Sequence, residues 1–286
     1  MKPILVFQTD FTYKEGAVAA MYGVVKSVDR TLEIIDGTHE IPKFDTWSAS
    51  YRLSQYMKFW PKGTIFVSVV DPGVGTKRRA AVAKTKDGYY IVTPDNGSLT
   101  HIKRNIGIEE IREIDENKNR LKGTEEVSIF HGRDLFGYCA AKLASGIISF
   151  EEVGPLYPVD EIVEHPIYEA NIEDHHVEGI LEIADPNFGN LWTNINLKDF
   201  NRAGFSYGDI INTKIYNEDK LVFSENILFQ AAFGDGKKGK PIIYNNELMK
   251  IGLAVNMGSF MEEFAVDFGP GWKVIFTEKG ANSWEI

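Results

Sequence analysis

The stretch TIFVSVVDPGVGTKRR, Thr64 to Arg79, decides the fold class. Its first seven residues, Thr64 to Val70, form a nearly continuous apolar run, entered after the helix-stopping Pro61, Lys62 and Gly63. A run of this kind is a strand covered on both faces, as in parallel sheets sandwiched by helices. Asp71 ends it, and Pro72 and Gly73 then force a turn. Upstream, Ile4 to Gln8 has the same texture, helical periodicity runs from about Gly16 to Val28, Leu32 to Ile35 is a second apolar run, and Asp45 to Trp60 carries apolar residues at helical spacing. Downstream, AAVAKT and YYIVT are joined across Asp87-Gly88 as a hairpin, and a helix is expected over about Asp134 to Ser145. This alternation predicts an α/β N-terminal domain with a largely parallel central sheet, whose ligands gather where loops leave the carboxyl ends of the strands.

Beyond about Pro166 the texture changes. EGILEIAD, DIINTKIY, KLVFS, KIGLAVN and GWKVIFT are short alternating runs separated by Gly, Asn and Asp turns, which predicts an all-β, barrel-like C-terminal domain. The expected domains are residues 1–166 and 167–286, with the proline-containing segment 151–166 as linker.

The composition suits this size: 286 residues, 43% of them hydrophobic, exceed what one core usually serves. A formal net charge of -10 disfavours nucleic acid and anionic membrane surfaces as partners. The basic run at Lys237, Lys238 and Lys240 lies among glycines and is expected to be a solvated turn. Cys139 is the only cysteine, so no intrachain disulfide and no cysteine metal cage can form. MKPILVFQTD has neither the length nor the cleavage site of a secretory signal, and no apolar run is long enough to span a bilayer; the expected location is the cytoplasm.

Four segments carry candidate chemistry. In VDPGVGTKRR, Asp71 stands at a strand mouth with arginines at 78 and 79; a carboxylate beside a guanidinium stays ionised and can orient water, the other reading being a capped turn. In FHGRDLF, His131 precedes a helix at the ligand edge of the sheet, with Gly132 leaving room for close approach, although a lone histidine is often a structural residue. In QTDFTYKEG, Asp10 follows the first strand, where a carboxylate can bind ribose hydroxyls or simply cap a turn. In IADPNFGNLWTNI, Asn187, Asn190 and Asn194 crowd a loop with Phe188 and Trp192; amides and a stacking ring suit adenine, and equally an Asn-rich turn flanked by core aromatics. There is no GxGxxG after the strand and no P-loop. Asp10, Asp36, His39, Asp71, Asp95, His131 and Asp134 are scattered without metal-ligand spacing, so no metal and no cofactor are expected.

Together these segments resemble the S-adenosylmethionine hydroxide adenosyltransferase family, relatives of fluorinase and chlorinase. The matching strings occur in order: TDF at Thr9, DGTHEIPKFD at Asp36, VDPGVGTKRR, TPDNGSLT at Thr93, FHGRD and DPNFGNLWTNI. The resemblance implies a homotrimer with substrate between one subunit's N-terminal domain and a neighbour's barrel. It also implies hydrolysis of S-adenosylmethionine to adenosine and methionine. It puts Asp71, Arg78 and His131 at the reacting end, Asp10 on the ribose, Phe44 against the ligand, and Asp185, Phe188 and Asn190 on methionine and adenine. The halogenating branch carries Tyr where Asp71 stands, fluorinase has Ser where Gly132 stands, and fluorinase also has a loop inserted where Asp87-Gly88 joins two strands tightly; these differences favour oxygen as nucleophile. Departures lie at the amino-acid end: Thr12 replaces a Gly, Glu15 stands where an Asp holds the methionine amino group, and NMGSF at Asn256 to Phe260 differs from the family pattern. A SAM-dependent halogenase, a metal-dependent hydrolase and a non-catalytic adenosine- or SAM-binding protein are the alternatives.

Overall fold

A computed structural model describes residues 2–279. The chain divides between His165 and Pro166 into two units, each with its own core. In the first, β1 (Leu5–Thr9), β2 (Ile34–Thr38), β3 (Ile65–Val69), β4 (Ala80–Thr85), β5 (Tyr90–Pro94), β6 (Ile108–Glu113) and β7 (Leu156–Tyr157) form one sheet in the order β2-β1-β3-β5-β4-β6-β7. The four strands β2, β1, β3 and β5 are parallel, while β4, β6 and β7 add an antiparallel flank.

Strand period decides which helix each residue meets. Leu5, Phe7, Ile65, Val67 and Val69 pack against Met21 and Val25 of the helix Ala17–Val28 and Cys139, Ala140 and Ala144 of the helix Tyr138–Ser145. Val6 and Phe66 face Leu53 and Met57 of the helix Thr46–Met57, with Ile102 of the helix Thr100–Asn105. Each fully buried Val, Leu, Ile, Phe or Met among these contributes about 1.5–3 kcal/mol relative to exposure. The second strand is displaced from its expected place: it spans Ile34–Thr38, so Asp36 lies within the strand. Leu32, the most hydrophobic-looking start, instead plugs the core from the preceding turn.

The chain runs from β1 outward to β2 and then back past β1 to β3, so connections leave the sheet in opposite directions at the β1/β3 boundary. That switch point opens a crevice beyond the strand ends. The parallel register pairs Thr9 with Val69, which brings Asp10 and Asp71 out of the sheet at its mouth.

In the second unit, β8 (Asn171–Glu173), β9 (His176–Asp185), β10 (Asn190–Asn196), β11 (Ile210–Asn217), β12 (Lys220–Phe229), β13 (Pro241–Asn245), β14 (Lys250–Val255) and β15 (Trp272–Glu278) form a barrel. Seven strands close the ring through the β9–β10 pairing, and β8 extends from β9. The Asn-rich stretch expected as a loop is mostly a hairpin, since β9 and β10 flank the short turn 186–189. Its core gathers Leu181, Leu191, Phe200, Phe229, Phe260 and Phe276. Among the described residues no helix is long and apolar enough to cross a membrane.

Candidate active site

The switch-point crevice is a hollow of about 270 Å³ lined by Asp10, Phe11, Lys43, Phe44, Asp71 and His131, with Val69, Val74, Ile129, Phe130 and Gly132 completing its wall. Asp71 reaches it because its strand end is tied down: Asn96 Nδ2 donates to the Val70 carbonyl at 3.0 Å. The turn that follows needs Gly75 at φ +75, where a Cβ would stand 2.7 Å from the Ser128 carbonyl oxygen.

Arg78 links the two other members of the centre. Its Nε donates to both Asp71 oxygens at 3.0 Å, and its Nη2 donates to Asp71 Oδ2 at 2.6 Å and to His131 Nδ1 at 2.8 Å. The side chains of Arg78 and Asp71 are only 9% and 5% exposed, and the guanidinium lies 5.2 Å from the Phe136 ring centre. Arg79 turns away to Glu161 and stacks on Tyr157, so of the two adjacent arginines only Arg78 joins the centre.

A guanidinium has no lone pair, so His131 Nδ1 accepts and the neutral ring carries its proton on Nε2. Burial, and then the Arg78 charge, hold His131 below the ordinary histidine value of 6.5. Proton uptake as pH falls through that lowered value breaks the Arg78 bond and removes stability that is fully present above 6.5. Turnover is expected to show an acid limb below pH 6.5, read from kcat/KM against pH. Residual activity of His131→Gln should lack that limb; an unchanged limb would assign it to another group.

His131 begins a π-helical turn, Gly132–Gly137, where an α-helix start was expected. Such turns recur at functional sites. Here a Cβ on Gly132 would approach Phe11 to 3.2 Å, and one on Gly137 would come within 3.1 Å of the Gly132 carbonyl oxygen.

Asp10 performs a local task as well as lining the hollow. Its Oδ2 accepts from Phe44 N at 2.9 Å, which holds Phe44 at φ 66 with its ring 68% exposed. A bulky residue in the left-handed region is strained, and such strain accumulates at ligand sites. Burial raises the Asp10 carboxyl, opposed by the Phe44 bond and assisted by the charge of Asp71.

Glu15 is exposed, accepts from Ala17 N at 3.0 Å, and is not among the residues of the hollow. Thr12, at the family's glycine position, has φ 58, a conformation that favours glycine. It is kept there by donating its N–H to the His39 carbonyl at 2.9 Å. The His39 ring is committed to structure, with Nδ1 at 2.8 Å from Thr9 Oγ1 and Nε2 at 2.9 Å from Tyr22 OH. Asp95 is likewise committed, accepting from Tyr157 OH and Val163 N, and Asp134 pairs with Arg133. Among the described residues no three His, Cys, Asp or Glu side chains gather to hold a metal ion.

The barrel unit carries its own hollow, of about 850 Å³, at the β9–β10 turn. Asp185, Phe188 and Asn190 all line it. The turn is tight: Gly189 has φ 66, its N–H donates to the Asp185 carbonyl at 2.8 Å, and a Cβ there would meet Ser259 Oγ at 1.9 Å. Asn190 is buried, Phe188 is 67% exposed, and Asn194 faces elsewhere, bonding Ile180 N and the Tyr168 carbonyl. Tyr244, which accepts from Trp192 Nε1 at 2.8 Å, and Phe233 complete an aromatic wall that sequence reading missed. Lys43 was also missed, because its neighbours at the crevice come from distant segments.

Two family models match the chain, the SAM hydroxide adenosyltransferase N-terminal domain over residues 5–154 and its C-terminal domain over residues 179–273. The chain is 31% identical over 249 residues to a protein of Methanocaldococcus jannaschii named (R)-S-adenosyl-L-methionine hydrolase, covering 85% of each. It is 25% identical over 297 residues to the fluorinase of Actinopolyspora mzabensis, covering 96% of this chain and 97% of that one. A crystal structure of an uncharacterized conserved protein from Thermotoga maritima superposes with a TM-score of 0.86 at 31% identity, over 96% of this chain and all of that one.

Proposed function

Since the chain belongs to the SAM hydroxide adenosyltransferase family, we propose that it hydrolyses S-adenosyl-L-methionine to adenosine and L-methionine by attack of water at C5′. The observation that carries this reading is the buried relay in which Arg78 bonds both Asp71 and His131. A sulfonium leaves without protonation, so catalysis has two tasks: aligning an oxygen opposite the C5′–S bond and accepting its proton. His131 Nδ1 is occupied by Arg78, whereas the Asp71 carboxylate keeps acceptor capacity beyond its Arg78 bonds. Asp71 therefore takes the water proton, His131 Nε2 orients the water, and Arg78 keeps both in place. The water oxygen becomes the 5′-hydroxyl as the C5′–S electron pair passes to sulfur. A halide nucleophile would instead meet the carboxylates of Asp71 and Asp10.

Incubation in ¹⁸O-water tests the reaction: label in the adenosine 5′-hydroxyl is expected, with equal turnover in EDTA. Adenine release, or activity restored only by added metal, would overturn it. Both sulfonium epimers belong in the assay, since the Methanocaldococcus relative is named for the (R) form.

Asp10 binds the ribose hydroxyls in this reading. Asp10→Ala should weaken adenosine binding about 10- to 100-fold, the usual worth of a hydrogen bond to a charged group, measured by calorimetry. Unchanged affinity would remove Asp10 from the ligand. The reading includes a homotrimer in which substrate meets the crevice of one subunit and the barrel of another; light scattering should return three times the 32.2 kDa chain mass.

A further inference from the structure

We infer that His39 is a positioning residue for Asp10: acting through Thr9, it fixes the turn that presents the Asp10 carboxylate to a ribose in the crevice. This rests on the place given to Asp10 in the reading above. His39 is 1% exposed and follows β2, while Thr9 ends β1 and Asp10 comes next. The hydrogen-bond network gives the link a direction. A carboxylate only accepts, so Tyr22 OH donates to Asp36 Oδ1 and thereby uses its single proton. His39 Nε2, 2.9 Å from Tyr22 OH and 3.3 Å from Asp36 Oδ1, then meets acceptors alone and carries the ring proton. Burial holds His39 below the ordinary histidine value, so at neutral pH the ring is uncharged and Nδ1 accepts. Thr9 Oγ1 donates to it across 2.8 Å, which turns the hydroxyl lone pairs toward the Phe11 N–H, accepted at 3.1 Å. The peptide leaving Asp10 is thus held by a chain of bonds that begins on Asp36.

His39 grips the same turn a second time. Its carbonyl accepts Thr12 N at 2.9 Å, which keeps Thr12 at φ 58, so one residue brackets Asp10 from both sides, by its ring at Thr9 and by its backbone at Thr12. The Thr9 carbonyl in turn accepts Ile41 N at 3.3 Å, and Phe44 N donates to Asp10 Oδ2 at 2.9 Å. Lys43 lines the same hollow, and its charge favours the Asp10 carboxylate. Its ammonium makes no hydrogen bond or ion pair among the described residues, so it supplies field without direction. Direction comes from His39 and Phe44. A ligand hydrogen bond needs that direction, because it weakens steeply when its angle is lost.

Calorimetric affinity for adenosine, measured on the full-length protein beside kcat and KM for S-adenosylmethionine, tests the link. His39→Ala is expected to weaken adenosine binding and raise KM by about 10-fold with kcat held, the pattern of a lost contact shared by ground and transition states. Thr9→Val keeps the side-chain shape and removes the hydroxyl; it should reproduce the loss, even where His39→Ala fails to fold. His39→Asn keeps an acceptor toward Thr9 and should bind about as tightly as the unaltered protein. In an Asp10→Ala background, His39→Ala should cost less than about 2-fold more, because the group it positions is gone. An equal loss with and without Asp10 would make His39 a general support of the crevice and overturn the inference. Full affinity in both His39→Ala and Thr9→Val, with Asp10→Ala binding weakly, also overturns it and leaves Asp10 on the ribose. Unchanged affinity in Asp10→Ala overturns both. Failure to turn over S-adenosylmethionine counts against the hydrolase reading alone, since adenosine affinity still reads the link from His39 to Asp10.

Discussion

Asp71→Asn is expected to lower adenosine release by about 10²–10⁴-fold, the usual loss on removing a positioned general base, with ligand affinity changed by less than about 10-fold. Asparagine keeps the shape of the side chain but loses the charge, and its NH₂ turns one of two acceptors into a donor facing a guanidinium that can only donate. The remaining oxygen still accepts one Arg78 bond, so on the proposed mechanism the proton acceptor is lost before the geometry is. In the proposed reading binding rests elsewhere, on Asp10, which lines the crevice, and Asn190, which lines the barrel hollow. Single-turnover rates and calorimetric affinity on the same preparation separate the two effects. A fall in affinity matching the fall in rate would place Asp71 on the bound ligand and leave the water without its base. Far-ultraviolet melting belongs beside these measurements, because Arg78 loses part of its countercharge inside a buried pair.

Where the sequence was legible, local pattern and tertiary structure agreed. Thr64 to Val70 contains β3, and the turn at Asp87-Gly88 joins β4 to β5, since a strand buried on both faces and a tight turn are both short-range signals. Legibility failed where pairing decided the outcome. Ile34 and Ile35 are only half-buried, and the register of β2 against β1 carries the strand on through Gly37, a choice invisible in an apolar run. The π turn after His131 brings Gly137 so close to the Gly132 carbonyl that a Cβ there would crowd it, a closeness between residues that read as ordinary helix. β10 was hidden by its own composition, because asparagine disfavours strands. Asn194 is tolerated there since both ends of its amide are bonded across the barrel. The meeting of Asp71, Arg78 and His131 could be read because all three lie at or beside strand or helix ends. The roles of His39 and Lys43 could not, since their partners come from segments brought together only by the sheet.

Arg78→Ala should be among the most destabilising substitutions in the N-terminal unit, by about 3–5 kcal/mol, the cost of breaking a buried ion pair from one side. Among the described residues the guanidinium supplies every hydrogen bond to the Asp71 carboxylate and the donor to His131 Nδ1. Without it a carboxylate 5% exposed stays in place facing the like charge of Asp10, and the Phe136 ring loses the cation beside it. For a unit of this size the loss corresponds to a melting shift on the order of 6–20 °C. The penalty is a property of the charge left behind, which distinguishes it from lost packing. Arg78→Ala combined with Asp71→Asn should therefore be more stable than Arg78→Ala alone, with a coupling of about 1–3 kcal/mol in a double-mutant cycle. Strict additivity would mean that Arg78 stabilises through contact with Phe136 and not through Asp71. Arg78→Lys completes the argument: an ammonium restores the charge, and with it part of the stability, but lacks the planar fork needed to reach Asp71 and His131 together. Turnover should stay low in the lysine variant while its melting temperature recovers, separating the charge of Arg78 from its geometry.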